Sequence, residues 1–173
     1  NLTFIFHIIK LFKIKRNILF LTLKKFKGLK YRQEIIYKTK KLTIINDSKA
    51  TSFSSSESLL KTLPNVYWII GGLFKKDDKF SLSKVYCKNL KAYIFGKDKK
   101  LYINELKNKV QIESFLNLKF IIKKIILDIK IDKLKNHKTI LFSPAGASFD
   151  SFKNFEERGM YFNNLIKKCI NVL

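Results

Sequence analysis

The sequence predicts an α/β fold: a mostly parallel sheet with helices on both faces, preceded by two helices. Three observations carry this expectation. Short apolar runs of strand length (42–46, 66–70, 92–95 and 139–142) alternate with longer stretches whose apolar residues recur at helical spacing. Each run ends in turn chemistry: Asn46-Asp47-Ser48, Gly71-Gly72, Gly96 and Ser143-Pro144. Ahead of them the pattern differs, because residues 1–26 are apolar at helical spacing and interrupted by Lys10, Lys13, Lys15 and Arg16.

In chain order, residues 1–26 read as two helices. Two short helices cannot bury both faces, so they are expected to be the end of a preceding domain. The chain starts at Asn1 and its single methionine is Met160, which reads as a fragment or a processed product. The opening residues lack the basic n-region and small-residue cleavage site of a signal peptide. No stretch reaches the roughly 18 uninterrupted apolar residues of a membrane span. Residues 27–32 read as a linker. Beyond it the helices are expected at 54–63, 80–90, 100–107, 114–127 and 149–170, between and after the strands. There is no internal repeat.

The chain of 173 residues is long enough for one domain with a core. Its net charge of +23 would ordinarily point to nucleic acid or an anionic surface. The charge is almost entirely lysine, however, with arginine only at positions 16, 32 and 158, whereas nucleic-acid readers favour arginine forks. Lysine, isoleucine, phenylalanine and asparagine share A/T-rich codons, so base bias accounts for the lysines, and no nucleic-acid partner is expected. Cys87 and Cys169 form no CxxC pair, which argues against a disulfide framework or zinc site and for a reducing, cytoplasmic location. His7 and His137 are far apart and read as ordinary structural or surface histidines.

Ligands of parallel α/β sheets bind outside the carboxyl ends of the strands. Three segments follow such ends: 46–51, 71–75 and 143–149. Taken singly, each has a structural explanation, as a helix cap, a tight turn or a solvated lysine. Taken together, Lys49, Lys75, the Thr51 hydroxyl and the N–H groups at the start of the last helix, with Ser148 as its cap, would surround one anion. A small dianion such as an amino acid with two carboxylates suits that set.

These residues also carry a resemblance. The stretches FKGLKYRQE (26–34), INDSKATS (45–52), IIGGLFKKDDKF (69–80) and LFSPAGASFDSFKNFEERGMYF (141–162) occur in this order. They resemble the D-glutamate-adding branch of the Mur ligase family, essentially end to end. The resemblance implies an enzyme that makes an amide bond in peptidoglycan precursor assembly. ATP phosphorylates the carboxylate of UDP-MurNAc-L-alanine, and the D-glutamate amine then displaces phosphate from the acyl phosphate. It implies a Rossmann-like C-terminal domain over residues 29–173, with residues 1–28 as the last helices of a truncated central ATPase domain. Lys49, Thr51 and Lys75 match positions that hold D-glutamate, with Lys76 as the alternative to Lys75. Ser148, Phe149 and Phe155 match positions around its side-chain carboxylate, the phenylalanines through main-chain atoms. Arg32 and Asp47 match positions at the base and ribose of ATP, and Asn1 falls on an asparagine that contacts adenine. The full-length parent is expected to be a monomer that uses ATP and Mg²⁺.

Two departures stand out: Tyr31 where the family has histidine, and Gly146 where it commonly has cysteine. The sequence holds no G-x-x-x-x-G-K-[ST] phosphate loop and no candidate Mg²⁺ ligand set, so no catalytic residue is assigned and the chain alone is expected to be inactive. The non-enzymatic alternatives are a basic nucleic-acid-binding domain, disfavoured by lysines spread over the whole chain, and a membrane-surface module using the N-terminal helices.

Overall fold

The computed structural model describes residues 2–131 and 136–170. In chain order the elements are α1 (Leu2–Leu11), α2 (Arg16–Lys25), β1 (Glu34–Lys38), β2 (Leu42–Asn46), α3 (Phe53–Leu60), β3 (Val66–Gly71), α4 (Lys84–Cys87), β4 (Leu90–Phe95), α5 (Lys99–Leu106), β5 (Gln111–Ser114), α6 (Leu118–Ile131), β6 (Lys138–Phe142) and α7 (Phe155–Ile170). The six strands form one sheet in the order β1-β2-β6-β3-β4-β5. β1 runs antiparallel to β2 at one edge, and every other neighbouring pair is parallel.

β2 and β3 are buried along their whole length, which is why LTIIN and VYWIIG are nearly continuous apolar runs. The two-residue period then sorts their side chains. Ile45, Trp68, Ile70, Ala92, Ile94 and Leu141 pack with Phe53 and Leu60 of α3 and Tyr102 and Leu106 of α5. Ile44, Tyr67, Ile69, Tyr93, Ile140 and Phe142 pack with α6 and with Phe162 and Ile166 of α7. Helices therefore cover both faces, and the fold is α/β and Rossmann-like, as the sequence predicts.

Five elements differ from expectation, one by a shift: the helix expected at 114–127 is α6, Leu118–Ile131, because the chain is still in strand at Gln111–Ser114. Residues 80–90 are not a helix; only Lys84–Cys87 is helical. Phe80 and Leu82 are both buried, and two core residues at i and i+2 suit an extended chain. Ser81 between them gives its N–H and hydroxyl to Glu57, each at 2.6 Å. The last helix begins at Phe155 rather than 149. Asn154 caps it by accepting from Glu157 N at 2.8 Å, and Glu157 accepts from Lys153 N at 2.7 Å. The unforeseen strands β1 and β5 are short, partly exposed edge strands, and the apolar run of β1 is only Ile35-Ile36-Tyr37.

The two N-terminal helices form as expected but stay largely uncovered. Leu19 is the one buried side chain described between residues 3 and 26, whereas Phe4 and Leu11 are each 77% exposed and Phe12 70%. At the amino end of the sheet, Lys91 bridges Glu113 (2.6 Å) and Asp128 (2.9 Å), and Lys124 and Tyr93 also bond Asp128. Burial disfavours the Asp128 carboxylate, but the hydrogen bonds from Lys124, Tyr93 and Lys91 outweigh it and hold its pKa below the usual range.

Candidate functional site at the carboxyl ends of three adjacent strands

β2, β6 and β3 are consecutive in the sheet, so the three segments that follow them are brought side by side. Backbone bonds stitch these segments together. Asp47 N donates to Phe142 O at 2.7 Å, and Gly71 N to Pro144 O at 2.9 Å. Leu73 and Ala147 exchange two bonds of 2.8 and 3.0 Å as a small antiparallel bridge. Gly72 sits beside that bridge at φ +114°, where a Cβ would collide with the Ala147 carbonyl oxygen. Only glycine allows the backbones to approach this closely.

Ser143 is the hub between strand ends. Its carbonyl accepts from Trp68 Nε1 at 2.8 Å, and its hydroxyl donates to Asp47 Oδ2 at 2.9 Å and lies 2.8 Å from Ser56 Oγ. The other Asp47 oxygen accepts from Gln33 N at 3.1 Å. Burial pushes the Asp47 carboxyl above its ordinary pKa, against the opposing hydrogen bonds of Ser143 and Gln33 and the Arg32 charge. Lys49 N donates to Tyr31 O at 3.1 Å, so the linker is fastened to the end of β2 at two points. Between them opens a cleft of about 690 Å³ whose lining includes Arg32, Gln33, Asp47, Lys49, Ser55 and Ser58.

The structure thus brings Arg32, Asp47 and Lys49 to one cleft. Lys49 is half-buried and holds Nζ 4.0 Å from the centroid of the Phe155 ring, a cation–π contact that joins the loop after β2 to the first turn of α7. Ser148 is buried next to the Leu73–Ala147 bridge, two residues short of Lys75 on the facing segment. Thr51, Lys75 and Lys76 are exposed around this edge, and the Phe149 ring is turned out, 69% exposed. Asn1 lies outside the described residues.

The helix terminus differs from expectation in its cap and in which of its amides are engaged. Ser148 opens a turn, with Ser151 N and Phe152 N donating to its carbonyl, and does not cap α7. The amides of Lys153 and Glu157 at the true helix start are already taken by Glu157 and Asn154. Sequence reasoning gave no role to Ser55, Ser58 or Arg158, and none to Ser143 beyond its place at the head of the 143–149 segment. The Arg158 signal was legible: it is one of three arginines and falls on the apolar stripe of its helix with Phe162 and Ile166. Among the described residues no group of three His, Cys, Asp or Glu is placed to hold a metal ion, and no helix is long and apolar enough to cross a membrane.

No family model matches the chain. Curated proteins do. A UDP-N-acetylmuramoylalanine–D-glutamate ligase from Wolbachia sp. subsp. Brugia malayi (strain TRS) is 37% identical over 159 residues, 92% of this chain and 32% of that protein. The protein of the same name from Wolbachia pipientis wMel is 35% identical over 165 residues, 94% of this chain and 31% of its own length. One from Hydrogenobaculum sp. (strain Y04AAS1) is 35% identical over 166 residues, 94% of this chain and 38% of that protein. The chain therefore spans about a third of the length of the relatives it matches. By its sequence, which aligns almost throughout with about a third of these proteins, the chain belongs to the family of the UDP-N-acetylmuramoylalanine–D-glutamate ligases.

Proposed function

We propose that this chain is the amino-acid-binding part of an ATP-dependent ligase that adds D-glutamate to UDP-N-acetylmuramoyl-L-alanine in peptidoglycan synthesis. Residues 29–173 would be its C-terminal domain and residues 1–28 the last helices of its central ATP-binding domain. The observation that carries the reading is the meeting of the 46–51, 71–75 and 143–149 segments at adjacent strand ends, with Lys49, Thr51, Lys75 and Ser148 around one edge.

Each residue has a physical role in that reading. Lys49 and Lys75, or Lys76 in its place, are point charges for the two carboxylates of D-glutamate, and Thr51 and Ser148 are directed hydroxyl donors. The main chain of Phe149 and Phe155 borders the side-chain carboxylate. The contact between Lys49 and the Phe155 ring limits where the ammonium can swing. Arg32 and Asp47 would hold the base and ribose of ATP. The fit is reasonable: the cleft of about 690 Å³ has room for a nucleotide, and the Asp47 carboxylate can accept from ribose hydroxyls. When bound, ATP supplies the phosphoryl group that turns the UDP-linked carboxylate into an acyl phosphate. The amine of D-glutamate, presented by this chain, attacks that carbonyl and phosphate departs. Mg²⁺ ligands and the phosphate loop are not assigned to these residues, and the chain alone should not turn over.

The test joins this chain to the remaining two thirds of a relative and follows phosphate release with UDP-MurNAc-L-alanine and ATP. D-glutamate, L-glutamate, L-lysine and diaminopimelate are offered separately. Release with D-glutamate alone supports the reading; release with another amino acid keeps the ligase and changes its substrate. Glutamate-dependent ATP hydrolysis by the isolated chain refutes the proposed inactivity. A second reading, peripheral attachment to an anionic membrane, is favoured by the exposed apolar side chains of α1 and α2 beside Lys10, Lys13 and Arg16. It predicts sedimentation with phosphatidylglycerol vesicles that is lost without residues 2–25.

A further inference from the structure

α7 turns Arg158, Gly159, Phe162 and Ile166 toward the interior. Three of these are apolar or small. Arg158 is a cation at the same depth, with no exposed surface. Much of its hydrogen-bonding capacity goes to one residue: Nε donates to Ser48 Oγ at 3.1 Å and Nη2 to Ser48 O at 2.8 Å. Ser48 is held from two other directions as well. Its hydroxyl donates to Phe155 O at 2.8 Å and its N–H to Asn46 Oδ1 at 3.1 Å. Asn46 is itself tied to α7 through Gly159 O and Asn163 Oδ1.

The third arm of the guanidinium is unused. Nη1 is buried without a hydrogen-bond partner, and it lies where a Cβ on Gly72 would come within 2.9 Å. Among the described residues no carboxylate reaches ion-pair distance of Arg158. Burial pulls its pKa down to about 10, which still leaves it charged at neutral pH. The Asp150 charge offsets part of that burial without forming an ion pair; a buried cation with no directly paired carboxylate weakens a fold, so a purely structural explanation accounts for it poorly. A hydrocarbon side chain of similar length would fill the same space at lower cost. What hydrocarbon could not do is hold the Ser48 carbonyl, the group immediately before Lys49.

We propose that Arg158 is the positioning residue of the amino-acid pocket, acting through Ser48 to fix the backbone that carries Lys49 and Thr51. The guanidinium does not touch the ligand. It holds the loop in the arrangement in which a dicarboxylate meets its two donors, so the ordering is done before the ligand arrives. The loop-anchoring half stands on the geometry alone. The half concerning ligand affinity rests on the reading of this pocket as a D-glutamate site.

The test uses the 173-residue chain with Arg158→Met, Arg158→Lys and Ser48→Ala. Amide hydrogen exchange reads the anchoring directly. Ser48, Lys49 and Ala50 are the reporters, since each N–H is bonded in this structure, and β3 amides are the control. Exchange at the three reporters should rise about tenfold or more in Arg158→Met and Ser48→Ala, while β3 is unchanged. Calorimetric titration with D-glutamate should show about tenfold weaker binding in both, with partial recovery in Arg158→Lys, which restores a donor to Ser48 O. If Arg158→Met does not fold, Arg158→Lys decides, because it keeps the cation but can make only one of the two bonds to Ser48. Unchanged exchange at the reporters in the folded Arg158 variant overturns the anchoring, and loosened exchange with undiminished affinity overturns the role in binding. Loosened exchange in a chain whose wild type binds no D-glutamate supports the anchoring and instead sinks the D-glutamate reading of the pocket.

Discussion

Gly72→Ala should be among the most damaging single-methyl additions this chain can receive. At φ +114° the backbone is in a region that costs an L-residue about 1–3 kcal/mol. The new methyl would also meet the Ala147 carbonyl oxygen below any tolerable distance and Arg158 Nη1 at 2.9 Å. The carbonyl cannot retreat freely, because it accepts from Leu73 N at 2.8 Å. Relieving the clash means opening the Leu73–Ala147 bridge, two hydrogen bonds worth about 0.5–1.5 kcal/mol each. Together the loss is about 2–6 kcal/mol, which lowers Tm by roughly 5–20 °C in a chain of this size. Gly28→Ala is the internal control. Its φ is +80° but nothing lies within 4 Å of the added Cβ, so only the conformational cost applies, about 1 kcal/mol. Urea unfolding of both variants measures the difference. Equal midpoints for the two would refute the argument that the β3 and β6 loops are locked by backbone contact at Gly72.

Other outcomes follow from the same geometry. Lys49→Ala and Thr51→Ala should weaken D-glutamate binding about tenfold or more by calorimetry, yet move Tm little, since neither side chain is in the core. Asp128→Asn should cost about 1–3 kcal/mol in urea unfolding, because Lys91 and Lys124 lose the carboxylate between them. The Asp128 pKa is depressed in the fold, so its contribution is present above the unfolded value near pH 4 and is lost as pH falls through the lower folded value. An acid melt of Asp128→Asn should therefore lack part of the wild-type decline below about pH 4. Asn154→Ala removes the cap of α7 and should cost about 1 kcal/mol, read by the same unfolding assay.

How far the fold could be read in advance depended on how strongly each segment was patterned. β2, β3, β4 and β6 are buried on both faces, and their apolar runs announced themselves. β1 and β5 lie at the sheet edges, where one side needs no apolar partner; QIES of β5 reads as polar chain, and the three apolar residues of EIIYK in β1 were too few to stand out. The stretch 80–90 misled because Leu82, Val85, Tyr86 and Leu90 fit a helical count; Glu57, a distant residue, decides the matter by taking both polar groups of Ser81. The start of α7 was legible and overlooked, since Asn154 followed three residues later by Glu157 is a capping pattern. For the site, the sequence located the three strand-end segments. It could not give the strand order that makes them neighbours, nor the bond from Arg158 to Ser48, which depends on how α7 docks.

That strand order also sets when the pocket can come into being. β6 comes after every other strand of the described residues, yet it lies in the middle of the sheet, paired with β2 on one side and β3 on the other. A ribosome delivers β2 and β3 long before the strand that joins them. Until residues 138–142 emerge, both present an open edge to the surroundings. The nascent chain therefore passes through a period in which its most apolar strands await their common partner and no ligand site exists. Slow, non-local closure of this kind favours late folding, and makes β6 the strand that completes the sheet and lets α7 dock to finish the pocket.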